Sequence, residues 1–272
     1  MDPLFLIAIP VGALAGFLAG LFGIGGGLIL VSALVFLLPA IGVPGVHVMH
    51  VALATSLSAI VLTALSSSNA HRKRGSVMWP TVWRLLPGLV AGGVLGAQCA
   101  GMLADSVLRI GVACFCFLAS WELWRGPPAR PAESPSIVPT SAILWPAGLV
   151  IGVVSALVGI GGGSLTVPLL IRLGATPVRA VGTSAACGLP IALAAAMGYV
   201  LNATPPQSLL PPGHVGYVHL PLALLLGASS VLFAPMGARL AHRLPGDHLK
   251  KAFAVLLVMV AAQLIWRGIK PG

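Results

Sequence analysis

Apolar runs of about 20 residues, nearly free of charge, succeed one another along almost the whole chain, and each is long enough to cross a hydrocarbon core of roughly 30 Å. Inside such a core no water satisfies the backbone, so each run must close its amide hydrogen bonds within itself as a helix. Composition excludes a soluble fold: 58% of the 272 residues are hydrophobic and 7% are charged, whereas about a quarter of the residues of soluble domains are charged. The sequence therefore predicts an all-α polytopic membrane protein. Met1, Asp2 and Pro3 lead straight into the first run without a basic stretch, so that run is read as a span of the mature protein rather than a secretory signal.

Two copies of one glycine knot interrupt these runs, Gly23-Ile24-Gly25-Gly26-Gly27 and Gly159-Ile160-Gly161-Gly162-Gly163. Four glycines in five positions disfavour continuous helix by about 1 kcal/mol each relative to Ala, so each knot is a break. The match extends further: Ala54-Thr55-Ser56 answers Gly182-Thr183-Ser184, Gly96-Ala97 answers Gly237-Ala238, Ala104-Asp105 answers Gly246-Asp247, and Trp124-Arg125-Gly126 answers Trp266-Arg267-Gly268. Self-similarity of this length marks an internal duplication. It divides the chain into a first membrane repeat over 1–126, a Pro-rich linker over 127–140 and a second membrane repeat over 141–272. Asp105 and Asp247 are expected to cap the helices they open, and Gly12, Gly16 and Gly20, spaced by four, to serve close helix packing. Cys99, Cys114, Cys116 and Cys187 lie in apolar spans without metal-ligand spacing, so buried packing is their expected use.

The net charge of +10 sits mostly in loops flanking the spans, where orientation signals are found, and no nucleic-acid motif accompanies it. Leu4 to Leu38 as one helix would measure roughly 50 Å, too long for a bilayer unless the knot folds it back. With four simple crossings per repeat, the basic loops would divide evenly between the two sides. With a knot-broken hairpin and an odd number of crossings, the repeats invert. One side then holds Arg72, Lys73, Arg74, Arg125, Arg130, Arg172, Arg179, Arg239, Arg243, Lys250 and Lys251, and the other holds Arg109, Arg267 and Lys270. By the positive-inside rule the first set is cytoplasmic. The expectation is two inverted-topology repeats, each a glycine-broken helical hairpin plus three transmembrane helices, in a bacterial inner membrane with both termini outside the cytoplasm.

Broken helices at matching places of inverted halves point to a transporter's substrate site. A helix starting just past a knot offers unpaired N–H groups and the positive end of its dipole, which suits an anion. The substrate-binding candidates are therefore Gly23, Gly25, Gly26 and Gly27 with Gly159, Gly161, Gly162 and Gly163. Thr55, Ser56, Thr183 and Ser184 join them, because their hydroxyls are neutral donors. Close helix packing is the competing use of such glycines, and bonding back to their own helix that of the hydroxyls. Glu122 stands one turn before Arg125 and is read as its ion-pair partner; His50 and His71, at loop ends, are read as solvated. No catalytic set, metal site or cofactor is read in the chain.

At these residues the chain resembles the sulfite exporter TauE/SafE family. The resemblance rests on both knots, on Leu165-Thr-Val-Pro-Leu169, on Arg179-Ala-Val-Gly-Thr-Ser184 and on Ala70-His-Arg-Lys-Arg-Gly-Ser-Val77 followed by Trp79, and it covers nearly the whole chain. It implies a membrane permease, in a family with members linked to export of sulfite or organosulfonate anions. The first half departs from the pattern, with Ser32 where the second repeat has Pro168 and Val51-Ala52-Leu53 in place of Arg179-Ala180-Val181.

The functional expectation is a permease for a small anion, a sulfur oxyanion or organosulfonate, working by alternating access between the repeats. Its partners would be that anion, the lipid bilayer and a coupling ion, H+ or Na+, that the residues do not identify. A permease for a cation or a neutral solute remains open, since carbonyl ends of the same breaks suit a cation. A membrane-embedded enzyme is disfavoured by five acidic residues without a catalytic pairing. A scaffold subunit without transport is the remaining alternative.

Overall fold

The computed structural model describes residues 3–23, 26–125, 141–203, 210–241 and 246–269. Gly25 of the first knot, the expected linker over 127–140, and Arg130, Arg243 and Lys270 lie outside the described residues. Among the described residues the chain forms two sets of five helices. The first set is α1 (Pro3–Phe22), α2 (Gly27–Ala40), α3 (Val48–Arg72), α4 (Trp79–Gly101) and α5 (Asp105–Arg125). The second set is α6 (Ser141–Val158), α7 (Gly163–Arg172), α8 (Pro177–Leu201), α9 (Leu220–Ala241) and α10 (Gly246–Ile269). A small antiparallel hairpin, β1 (His214–Val215) with β2 (Val218–His219), leads into α9. The helices α3, α4, α8 and α9 are long and apolar enough to cross a membrane, while α1, α2, α6 and α7 contribute shorter apolar stretches on either side of the two knots.

The two sets are not packed as separate blocks. The first helix of each set lies along the fourth helix of the other, α1 on α9 and α6 on α4, and the third helices α3 and α8 meet between them. Small residues make these seams tight. A Cβ added at Gly12 would stand 2.6 Å from Leu226 O, one at Gly16 2.5 Å from Ser230 Cα, and one at Gly20 2.7 Å from Ala238 N. On the other seam a Cβ at Gly88 would stand 2.7 Å from Leu149 N and one at Gly96 2.5 Å from Val153 O. Backbones approaching this closely are how transmembrane helices gain packing without a hydrophobic driving force. The packing expected of Gly12, Gly16 and Gly20 is thus observed. Along both seams the residue numbers rise together, so α1 runs parallel to α9 and α4 parallel to α6. The same holds for α3 against α9, through Thr55 with His219 and Ser66 with Val231, and for α4 against α8, through Met78 with Thr183 and Gly93 with Ala194.

Four local expectations are corrected. Asp105 does not cap its own helix: its carboxylate accepts from Met49 N in the first turn of α3 and pairs with Arg109 at 3.0 Å, because the α4–α5 turn carries it beside an open helix end with orphan N–H groups. Glu122 pairs with Arg172 of α7, and Arg125 lies 4.0 Å over the Trp121 ring; an aromatic face one turn away competes with the carboxylate for the guanidinium. His50 and His71 are buried rather than solvated. Cys116 and Cys187 are buried as expected, but Cys99 and Cys114 are exposed on the outer faces of α4 and α5. The side chain of Asp247 is outside the described set.

Candidate functional site

Each knot is built from two left-handed glycines three residues apart. Gly23 (φ 70°) ends α1, its N–H bonded to Ala19 O at 2.9 Å, and Gly26 (φ 70°) is the N-cap of α2. Gly159 (φ 74°) ends α6 with its N–H on Ser155 O at 2.9 Å, and Gly162 (φ 77°) is the N-cap of α7. A Cβ at any of these positions would be strained. The left-handed stop and left-handed start account for two of the four glycines in each turn, and close approach to Gly159 O accounts for Gly27. Beyond the caps, Leu165 and Thr166 make the first intrahelical bonds of α7, both to Gly162 O. The N–H groups of Gly163 and Ser164 therefore precede the ladder and point into the break.

The two knots meet. A Cβ on Gly27, the first residue of α2, would stand 2.9 Å from Ile160 Cα of the second knot, so α2 and α7 begin in the same small volume. The third helices hold the knots crosswise. Ser184 of α8 donates to Gly23 O at 3.0 Å, and Ser56 of α3 donates to Leu53 O at 2.9 Å and to Gly159 O at 3.3 Å. Ser56 lies eight residues into α3 and Ser184 seven into α8, about 10–12 Å along helices of 25 residues each. The threonines beside them face elsewhere: Thr55 accepts from His219 N at 3.0 Å and Thr183 from Met78 N at 2.9 Å. Each threonine thus caps the fourth helix of the other set. The structure therefore brings together the described candidates Gly23, Gly26, Gly27, Gly159, Gly161, Gly162, Gly163, Ser56 and Ser184, while Thr55 and Thr183 serve the ends of α9 and α4.

Two polar residues that the sequence pattern did not single out also belong here. Ser155, one turn before Gly159, is fully buried, and its Oγ would lie 3.4 Å from a Cβ on Gly162. Ser164 is the second residue of α7 and is 6% exposed. Neither hydroxyl has a hydrogen-bond partner among the described residues. The serines have no counterpart beside the first knot, where Ala19 and Leu28 stand at these places, so a search for matching motifs passes over them.

Histidines tie the ends of the bundle. His71 Nε2 donates to Gly20 O at 3.1 Å, just before the first knot, with Ser76 Oγ 3.2 Å from Nδ1. At the opposite end of α3, His50 Nε2 donates to Ala100 O and Leu103 O, both at 3.1 Å, and its ring stacks on Tyr217 with centroids 5.1 Å apart. In the hairpin, His219 Nδ1 accepts from Leu222 N at 3.2 Å, capping α9. Burial first, and then the neighbouring His214, hold His219 down at about 4.

The sulfite exporter TauE/SafE family model matches residues 8–264. A probable membrane transporter protein of Haemophilus influenzae is 34% identical over 264 residues, covering 97% of this chain and 99% of the relative. The probable membrane transporter protein YunE of Bacillus subtilis is 27% identical over 282 residues, covering 97% and 98%. A probable membrane transporter protein of Methanocaldococcus jannaschii is 26% identical over 277 residues, covering 93% and 94%. No solved structure matches the chain.

Proposed function

This chain belongs to the sulfite exporter TauE/SafE family and is an integral membrane transporter rather than an enzyme, and from that premise we propose that it moves a small anion, a sulfur oxyanion or organosulfonate, through a site made by its two knots. The observation that carries the reading is the meeting of Gly27 with Ile160. It aims two helix N-termini, with their unpaired amides and positive dipole ends, at one place inside the bundle. The carbonyls of Gly23 and Gly159, which a cation would need, already accept serine hydroxyls, and this favours an anion over the cation alternative.

The arrangement of the repeats supports alternating access. Residues 73–78 join α3 to α4 and reach at most about 21 Å, shorter than the roughly 37 Å length of α3, so α4 returns antiparallel to α3. With α1 and α3 parallel to α9, and α6 and α8 parallel to α4, corresponding helices of the two sets run in opposite directions. We read this as two inverted repeats, with the basic loops cytoplasmic and both termini outside in the inner membrane. Because the glycine seams join α1 to α9 and α6 to α4, the bodies that rock are these mixed units rather than the two halves of the sequence.

Flux of sulfite and short sulfonates into proteoliposomes tests the substrate class. No anion flux alongside flux of a cation would reverse it. A reporter fused after Lys270 that proves cytoplasmic would sink the orientation.

A further inference from the structure

The two knots match in their left-handed glycines but not in their lining, and from this difference we infer that the substrate is a singly charged oxyanion seated on the second knot's side of the place where the two meet. Its oxygens would be taken by the Ser155 and Ser164 hydroxyls and the first-turn amides of α7. The inference rests on the reading of the knots as the anion site.

Ser155 and Ser164 are buried, and neither Oγ has a partner among the described residues. A serine in a helix ordinarily bonds back to a carbonyl of its own helix. Elsewhere in this protein Ser58, Thr63, Thr166 and Ser229 do so at 2.8–3.2 Å. Buried hydroxyls in native folds are almost always paired, and the pair left open here flanks a left-handed helix start. At the first knot the corresponding Ala19 and Leu28 have no donor to offer.

Space distinguishes the knots in the same direction. Around Gly162 stand the ends of side chains, Ile191 Cδ1 and Ile151 Cγ2, at 2.5 and 3.3 Å from an added Cβ, and rotation about χ angles moves them aside. Around Gly26 stands backbone, Ala15 C at 2.8 Å, which does not yield. The charge is set by the two helix starts, each equivalent to about +0.5, because the groups placed at the second knot, Ser56, Ser155, Ser164, Ile151 and Ile191, are neutral. One negative charge balances them. A dianion would keep about one charge uncompensated in a medium of low dielectric, which strongly disfavours it.

Titration calorimetry on the purified full-length protein tests this, with hydrogen sulfite and methanesulfonate as monoanions, sulfate as the dianion, and wild type, S155A, S164A, S155A/S164A and A19S as variants. The expected result is monoanion binding, with sulfate at least tenfold weaker. Each serine deletion should weaken binding roughly tenfold, and A19S should leave it unchanged. Melting temperature in the absence of anion should hold or rise in S155A and S164A, because an unpaired buried hydroxyl is removed; a merely structural role would lower it. If the double variant does not fold, the two single variants carry the same reading. Serine variants that bind like wild type overturn the inference and leave the knots as an anion site. Sulfate binding equal to that of the monoanions overturns the charge assignment. Wild type that binds neither monoanion nor sulfate overturns the reading of the knots itself.

Discussion

The first and second knots are the same five residues, left-handed at Gly23 and Gly26 as at Gly159 and Gly162, yet what packs against them differs in kind. Gly26 presses against the backbone of α1, and its helix α2 is held at mid-length, where Gln263 Nε2 of α10 donates to Ser32 O at 2.9 Å and the Ser32 hydroxyl meets the Gln263 amide oxygen. The atoms nearest an added Cβ at Gly162 belong to side chains, and its shorter helix α7, which carries Pro168 inside it, is tied to α5 by Arg172 and Glu122, which are largely exposed. A repeated motif can therefore keep its left-handed glycines twice while its two copies pack differently, and we read the first knot as the anchor and the second as the adaptable side.

Substitution at the two left-handed caps should break this comparison most visibly. Gly26→Ala adds backbone strain and a clash with Ala15 that cannot relax, and should cost about 3 kcal/mol or more in an unfolding titration. Gly162→Ala should cost about 1–2 kcal/mol, part of it restored by Ile191→Val, which removes the Cδ1 atom in the way. Equal costs at the two sites would end the distinction. Next come the crossed serines. Ser184→Ala strips a hydrogen bond from the Gly23 carbonyl and should cost about 1–2 kcal/mol, while Ser56→Ala, whose hydroxyl is shared with Leu53, should cost less.

The ends of the fourth helices sharpen the comparison in another way. Thr55 and Thr183 play matching parts, but the residue facing Thr55 is His219 and the residue facing Thr183 is Met78. Of these two facing residues only His219 is titratable. Folding lowers the pKa of His219 from 6.5 to about 4, so between these values the unfolded chain takes up the proton first. The stability it contributes is present above about pH 6.5 and lost as the pH falls toward 4, where the cap on Leu222 N fails. Thermal melts across that window should slope less in His219→Asn than in wild type, and an unchanged slope would remove His219 as the cause. The smallest effect is expected at the exposed tie of α7: Glu122→Gln should shift stability by less than about 0.5 kcal/mol. Gln263→Ala on α2 should shift it by about 1 kcal/mol. A larger effect at Glu122 than at Gln263 would reverse the assignment of anchor and adaptable side.

Much of the site was legible because it repeats. Two knots, two Thr-Ser pairs and two Trp-Arg-Gly endings announce themselves by matching, and the structure brings the knots and serines together. The unmatched donors Ser155 and Ser164 escaped, since an isolated serine in an apolar run has many ordinary uses. The division of labour within each Thr-Ser pair was hidden as well, because neighbouring residues on a helix point about 100° apart and their targets, Gly23 and Met78 for one pair, come from distant parts of the chain.

Composition and periodicity by themselves determined that the chain is helical, membrane-spanning and broken at two glycine knots, for these follow from local requirements: backbone bonds must close within each apolar run, and such glycine runs disfavour continuous helix. Which helix each break touches, that α1 lies on α9 and α6 on α4, and that the Ser155 and Ser164 hydroxyls find no partner among the described residues were decided only in tertiary structure. Those outcomes depend on which helices come together in space, where a missing Cβ or an unpaired Oγ has meaning only beside the neighbour it faces.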